Sequence, residues 1–419
     1  MSNTDLKESL ASAMRSLGAD WKKAKRRADA QDRVRRGDYE RMRSRSPSRV
    51  TVREVAFYVM EQAYQAASGG GRYPANARQI YYAARPAILE RADTDKVDSQ
   101  YFTQTLLKEY LEIHRPAWDV VWDARGHFTE PHTEETVGLG GLDVREYVAG
   151  FTDGSFDCAP QYTPKARVPT VGPLLRYGGV LFIEKEGFDP LLKAAQIAER
   201  FDVAIASTKG LPVAAFCDLL AALRRHDRPA YVLHDFDKSG FSILATLRHG
   251  VRGSRGTGRV VDLGLRLDDI EGLQTEHVSY SQRESPARNL RMNGATEAEV
   301  AMLVQEGGWR GGWFGERVEL NAMTADQFVE WLERKLEAAG VGKLVPPKET
   351  LAQAYRRATY LQRLQQHAVA LRDEIAEQEV PVPADLDQRV AKALAEQSEQ
   401  SWDEAVWRAA RVDLEDTDE

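Results

Sequence analysis

Three carboxylates in this sequence sit where chemistry could be done. Glu184 follows the apolar run 180–183, and Asp235 and Asp237 close the segment 229–237 just before Ser239-Gly240. Alternate residues on a strand point to one face, so the two aspartates can project together. Ligands of open parallel sheets bind beyond the carboxyl ends of the strands, so neighbouring strands would bring all three acids to one edge. Three crowded anions repel unless a cation sits among them. A small set of oxygen donors, completed by water and phosphate, suits Mg²⁺. A lone acid at a strand end more often caps the next helix; the D-x-D pair together with the glutamate is what points to a metal.

A second candidate is Arg78-Gln79-Ile80-Tyr81-Tyr82. On a helix Arg78 and Tyr82 share a face at i and i+4, while Tyr81 falls on the side of Ala77 and Ala84. A tyrosine can attack phosphorus if its phenol, of ordinary pKa about 10, loses its proton and the phosphorane charge is neutralised. An arginine one turn away can hold a phosphate oxygen with its planar fork. Taken alone, a Tyr-Tyr pair is ordinary helix packing. Lys209, in a Lys-Gly turn, and Arg252 and Arg255, in the loop GSRGTG, are candidates for contact with a nucleic-acid backbone. That loop is neither a Walker loop nor a dinucleotide fingerprint. His127, His132, Glu134 and Glu135 lack a recognised ligand spacing and read as a polar loop. Trp309 and Trp313 lie in a Gly-rich loop where they could stack on bases or a partner.

Hydrophobic periodicity supplies the elements that must position these residues. The unbroken apolar runs 178–184, 202–208, 229–237 and 259–265 alternate with helical patterns at 188–201, 212–226 and 240–250. Such alternation predicts a parallel sheet covered on both faces by helices, an α/β domain. Upstream, helical patterns at 51–67, 75–92 and 98–114 precede a strand pair within 118–131, the order of a small winged-helix domain. The second of these helices is expected to break at Pro86, because proline disfavours helix at the residue before it. Beyond Pro346-Pro347 a long helical pattern leads to DLEDTDE, expected to fray. The domain plan is then a basic arm at 1–49, a winged-helix domain at 50–150, a linker at 151–177, the parallel-sheet domain at 178–345 and a helical extension with an acidic tail at 346–419.

Charge must be read by segment. The 419 residues carry 57 Lys/Arg against 64 Asp/Glu, a net −7. Residues 21–53 alone hold 13 basic and 4 acidic side chains, a local +9 beside the winged-helix segment. That arm is a candidate for contact with a phosphate backbone. Two cysteines exclude a disulfide framework or a cysteine-rich zinc module. No apolar run reaches bilayer length and no signal peptide opens the chain, so a cytoplasmic protein without membrane contact is expected. A haloacid-dehalogenase-like phosphatase also uses D-x-D. It places the motif on an early strand with a lysine further on, whereas here the Glu184 strand comes first and no lysine follows Lys238 until Lys335.

The two constellations together resemble one family, the A subunit of type IIB topoisomerases (topoisomerase VI) and the related meiotic double-strand-break transesterase. Its R-D-x-Y-Y-like motif is matched by Arg78-Gln79-Ile80-Tyr81-Tyr82. The E-K and D-x-D-P-x-G motifs of its Toprim domain are matched by Glu184-Lys185 and by 235–240, and its Lys-Gly turn by 206–212. The similarity spans roughly residues 50–340. It implies a Toprim domain at 178–345, Tyr82 as nucleophile with Arg78 and Tyr81 beside it, and a 5′-phosphotyrosyl link. It also implies Mg²⁺ held by Glu184, Asp235 and Asp237, double-stranded DNA as substrate, a homodimer, and an ATPase B subunit or other gating partner. The enzyme implied is an A-subunit-like, ATP-dependent type II topoisomerase or a related DNA endonuclease. Gln79 stands where the family has an acid, and Lys238-Ser239 replaces its proline turn. Two rival readings are a Toprim nuclease, like the nuclease subunit of Wadjet-type systems, in which water attacks, and a DNA-binding scaffold that does not cut. The sequence leaves resealing, partner identity, DNA geometry and the choice between Tyr81 and Tyr82 open.

Overall fold

The computed structural model describes residues 50–122, 127–132, 135–139, 141–150, 163–164, 176–207, 214–250, 259–281, 284–307, 312–378 and 380–417. The basic arm, Lys209, Arg252, Arg255 and Trp309 therefore lie outside the described residues. Among the described residues no helix is long and apolar enough to cross a membrane.

The first unit is built from helices. In α1 (Val52–Ala67), Val55, Ala56, Val59, Met60, Ala63 and Ala67 form one buried stripe at helical spacing. A two-residue strand, β1 (Ala75–Asn76), leads into α2 (Ala77–Arg91), which Asn76 caps. After a short turn at Ser99–Tyr101 and a π-helical turn (Phe102–Leu106), α3 (Leu107–His114) closes the bundle. β2 (Val120–Val121) pairs in parallel with β1, and β3 (His127–Thr129) pairs antiparallel with β4 (Thr136–Gly138), followed by α4 (Gly141–Ala149). The expected strand pair within 118–131 is thus divided. Its first half joins β1 and its second half pairs with a later segment. The supposed polar loop at 127–135 is the hairpin itself.

The parallel sheet runs β6–β5–β7–β8, from β5 (Gly179–Ile183), β6 (Val203–Ser207), β7 (Ala230–Leu233) and β8 (Val260–Gly264). Every residue of β5 and β7 is buried. Alternation explains why: Leu181, Ile183, Tyr231 and Leu233 face one core, while Val180, Phe182, Ala230 and Val232 face another. The expected single helix at 188–201 is two, α5 (Asp189–Ala194) and α6 (Ile197–Phe201), because Gln196 takes a left-handed conformation at φ 53° between them. α7 (Ala214–Arg224) and α8 (Lys238–His249) complete the alternation.

A second, antiparallel sheet follows, in the order β10–β11–β9. β9 is Glu276–Tyr280; α9 (Ala287–Met292) and α10 (Glu297–Leu303) lead to β10 (Gln305–Glu306) and β11 (Trp313–Arg317). The segment expected as a Gly-rich loop thus contains strands, and Trp313 is half-buried in one of them. Gly315 permits this sheet to close on α10, because a Cβ there would stand 1.9 Å from the Leu303 carbonyl oxygen. α11 (Ala325–Ala338) packs Phe328, Trp331, Leu332 and Leu336 onto the first core. The chain ends in three helices, α12 (Lys348–Ala376), α13 (Leu386–Glu396) and α14 (Trp402–Thr417). The terminal acids do not fray as expected: α14 runs to Thr417, and Asp413 pairs with Arg389 of α13 at 2.9 Å.

One expectation about α2 fails. The helix runs through Pro86 rather than breaking there. Proline lacks the N–H that would bond the carbonyl four residues back, which is that of Tyr82. The Gln274 side-chain amide donates to this Tyr82 carbonyl at 2.5 Å. A partner from the loop before β9 thus replaces the missing backbone bond.

Candidate active site

The sheet places Glu184 immediately after β5, and β7, which carries Asp235 and Asp237 beyond its end, is hydrogen-bonded to β5. The strand itself stops at Leu233, so the two aspartates lie in the turn that follows rather than on the strand. Asp237 caps α8, its Oδ1 accepting from the Gly240 amide at 2.7 Å. Asp235 is buried, and its Oδ1 accepts from the Leu320 amide at 2.8 Å. Gly240 is required by closeness: a Cβ there would lie 2.2 Å from the Asp235 carbonyl oxygen. The turn is therefore tight enough to fix both carboxylates.

A single antiparallel bridge, Phe236 to Val318, lays a distant segment along this turn. It brings Arg317 and Glu319 beside Asp237 and Asp235, two side chains with no motif to announce them. Glu319 is almost wholly buried and gathers three cations. Arg78 of α2 hydrogen-bonds its carboxylate with Nη1. Lys185 Nζ lies 3.1 Å away and Arg317 Nη2 3.2 Å. Burial works against the charged form, but Lys185, Arg78 and Arg317 hold the Glu319 carboxyl well below the usual range. Lys185 also stands 2.6 Å from Asp235 Oδ2. Arg317 reaches Glu276 at 2.7 Å and Asp237 at 4.0 Å.

The acids nearest the sheet edge behave differently. Burial and the nearby Asp235 charge push Glu184 up to about 7, and the same two causes raise Asp237. These are carboxylates short of positive charge, as a cation-binding set would be. The donors are all carboxylate oxygens, the type that suits a hard divalent ion. Their spacing does not enclose one here: among the described residues no three acidic, histidine or cysteine side chains stand close enough together to hold a metal. Lys185 is the cation on Asp235 instead.

The tyrosines are held inside. Tyr81 donates its hydroxyl to the Val97 carbonyl at 3.0 Å and packs on Phe102, and burial raises its pKa. Tyr82 is 2% exposed and its hydroxyl has no hydrogen-bond partner. Burial first, then the Glu319 and Glu276 carboxylates, push its phenol far above the ordinary value despite Arg78. Arg78 and Tyr82 do share a face, and that face meets the Glu319 cluster. Gln79, the departure from the family motif, has a structural role. Its Oε1 accepts from the Asn76 amide at 3.0 Å and its Nε2 donates to the Met323 carbonyl at 3.1 Å. A carboxylate could accept the first bond but could not donate the second.

Behind the site, both ring nitrogens of the buried His234 face acceptors, Asp235 O at 2.8 Å and Asp262 Oδ1 at 3.2 Å. Arg266 Nη1 donates to Asp262 Oδ2 at 2.8 Å. Burial opposes the charge, yet the bonds from His234 and Arg266 hold Asp262 down to about 2. A carboxyl depressed in the folded state stabilises it above the unfolded pKa, and that stability is lost as pH falls through the folded value. From the ordinary 3.8 down to about 2 the loss amounts to about 2 kcal/mol. Urea unfolding at pH 5 and pH 2 tests this: Asp262→Asn is expected to lose about 2 kcal/mol less than the parent between the two. Equal losses would remove Asp262 as the titrating group.

No curated protein matches the chain. Among family models, one match falls on the part of the chain that holds Glu184, Lys185, Asp235 and Asp237, and stops short of Arg78 and Tyr82 on one side and of Arg317 and Glu319 on the other. Residues 179–306 match the model for the Toprim domain shared by the topoisomerase 6 A subunit and Spo11, and it is through this domain that the chain is related to that family.

Proposed function

We propose that this chain is a metal-dependent DNA-cleaving protein whose chemistry takes place at Glu184, Asp235 and Asp237. The observation that carries the reading is the convergence of these acids at the carboxyl ends of two hydrogen-bonded parallel strands, with Glu184 pushed up to about 7 beside Asp235. Relatedness to the topoisomerase 6 and Spo11 family through this same stretch supports it. Mg²⁺ bound there would supply charge neutralisation at the scissile phosphate and its leaving oxygen. The chain's own part is to keep the three carboxylates fixed, through the Gly240 and Leu320 amides, and to hold Lys185 beside Asp235.

Tyr82 is the proposed nucleophile. Its Oη forms a bond to phosphorus, the P–O3′ bond breaks, and the phenol proton is lost while the departing 3′ oxygen gains one. The product is a 5′-phosphotyrosyl link and a free 3′-hydroxyl. In the packing seen here the phenol faces Glu319 and Glu276, which oppose its ionisation. Action therefore requires α2 to leave this pocket, toward the acids of a second copy of the chain. The N-terminal unit, with three helices ahead of a two-stranded hairpin, is proposed to act as the winged-helix domain that delivers it. The second reading, a Toprim nuclease in which water attacks, is favoured by the burial of the Tyr82 hydroxyl.

Incubation of the purified chain with supercoiled plasmid separates the readings. Mg²⁺-dependent breaks, suppressed by a chelator, with protein attached to 5′ ends are expected. Breaks with free 5′ ends support water attack. Tight binding without cleavage in Mg²⁺ supports a scaffold.

A further inference from the structure

Far along the chain from the acids, α12 has 29 residues and buries none of them. Leu361, Leu364, Ala368, Leu371 and Ile375 recur at spacings of three and four, the a/d seam of a coiled coil over two heptads. The seam is open: Leu364 is 65% exposed, Leu371 54% and Ile375 40%. The chain's own covering lies elsewhere on the helix. Pro164 approaches the side formed by Gln362, Gln365, Gln366 and Val369, roughly opposite the seam at 100° per residue.

Charge identifies the occupant. The N-terminal half of α12 holds Lys348, Arg356, Arg357 and Arg363 against Glu349, whereas the C-terminal half holds Arg372 against Asp373 and Glu374, with Glu377 just beyond. Arg357 falls on the seam itself. Parallel pairing of two copies would set Arg357 against Arg357; antiparallel pairing sets the basic half against the acidic half and brings Arg357 next to the partner's Glu374. Like charges in register disfavour the first arrangement and opposite charges favour the second.

We propose that α12 pairs antiparallel with α12 of a second copy of this chain, joining two molecules through their C-terminal extensions. The inference does not depend on cleavage, and it assigns an interface outside both the sheet domain and the tyrosine helix. Antiparallel pairing places Leu361 of one chain against Leu371 of the other.

The test uses the full chain with Cys158 and Cys217 replaced by serine. Under mild oxidation an equimolar mixture of Leu361→Cys and Leu371→Cys is expected to form a cross-linked dimer of one variant with the other, while neither variant cross-links alone. Cross-linking of Leu361→Cys with itself would show parallel pairing and overturn the proposal, as would absence of any cross-link. Sedimentation equilibrium gives the second arm. Leu364→Asp/Leu371→Asp, both exposed and so harmless to the fold, is expected to weaken self-association at least tenfold. Gln366→Asp on the opposite side is expected to leave it unchanged. An unaltered dissociation constant in the seam variant overturns the interface.

Discussion

Glu184→Gln is expected to lower Mg²⁺-dependent plasmid cleavage by about 10²–10⁴-fold while the folded chain keeps its thermal midpoint. The carboxylate is proposed to hold an ion that stabilises charge at the transferring phosphate, a contribution of several kcal/mol, and each 1.36 kcal/mol is about tenfold in rate. Glutamine keeps the shape and removes the charge. The fold should tolerate it, because among the described residues no hydrogen bond holds the Glu184 carboxyl, and its surroundings already disfavour the ionised form. This separates Glu184 from its neighbours. Asp237 caps α8 and Asp235 anchors the Leu320 amide, so substitutions there mix folding with chemistry. Cleavage by Glu184→Gln within threefold of the parent, at matched Mg²⁺, would remove this acid from the reaction.

What could be read from the sequence, and what could not, follows from the range of the interactions involved. β5 and β7 are buried on both faces, so their apolar runs are unbroken and plain to see. The acids at their ends follow from strand polarity and adjacency. Glu319 did not follow. It reaches the site through the single Phe236–Val318 bridge, more than eighty residues beyond Asp235, and one bridging residue leaves no periodic trace. The alternation of Arg317, Val318 and Glu319 is the only local hint that two charges share a side of an extended segment. Pro86 misled for the same reason: local chemistry forbids the backbone bond, and Gln274 replaces it from far along the chain. The split at Gln196 is a local event, a left-handed residue that apolar periodicity does not register.

Tyr82→Phe is expected to abolish any covalent protein–DNA adduct without destabilising the chain. The two halves of that expectation have different origins. Covalent attachment needs the hydroxyl, and phenylalanine has none, so under the transesterification reading the adduct disappears altogether. Stability depends on the same oxygen in the opposite sense. A buried hydroxyl without a hydrogen bond leaves its desolvation uncompensated, at a cost of about 1–3 kcal/mol. The two carboxylates beside it oppose its ionisation. Removing the oxygen from this pocket should therefore raise the unfolding free energy by about 1 kcal/mol, measurable in urea. An unpartnered polar group kept inside a helix interface at a cost in stability is the pattern expected of a group retained for function. A chain that still cuts at the parent rate after Tyr82→Phe would assign the cleavage to water at the Toprim acids. A chain that loses both adduct and stability would show instead that the hydroxyl is a structural anchor.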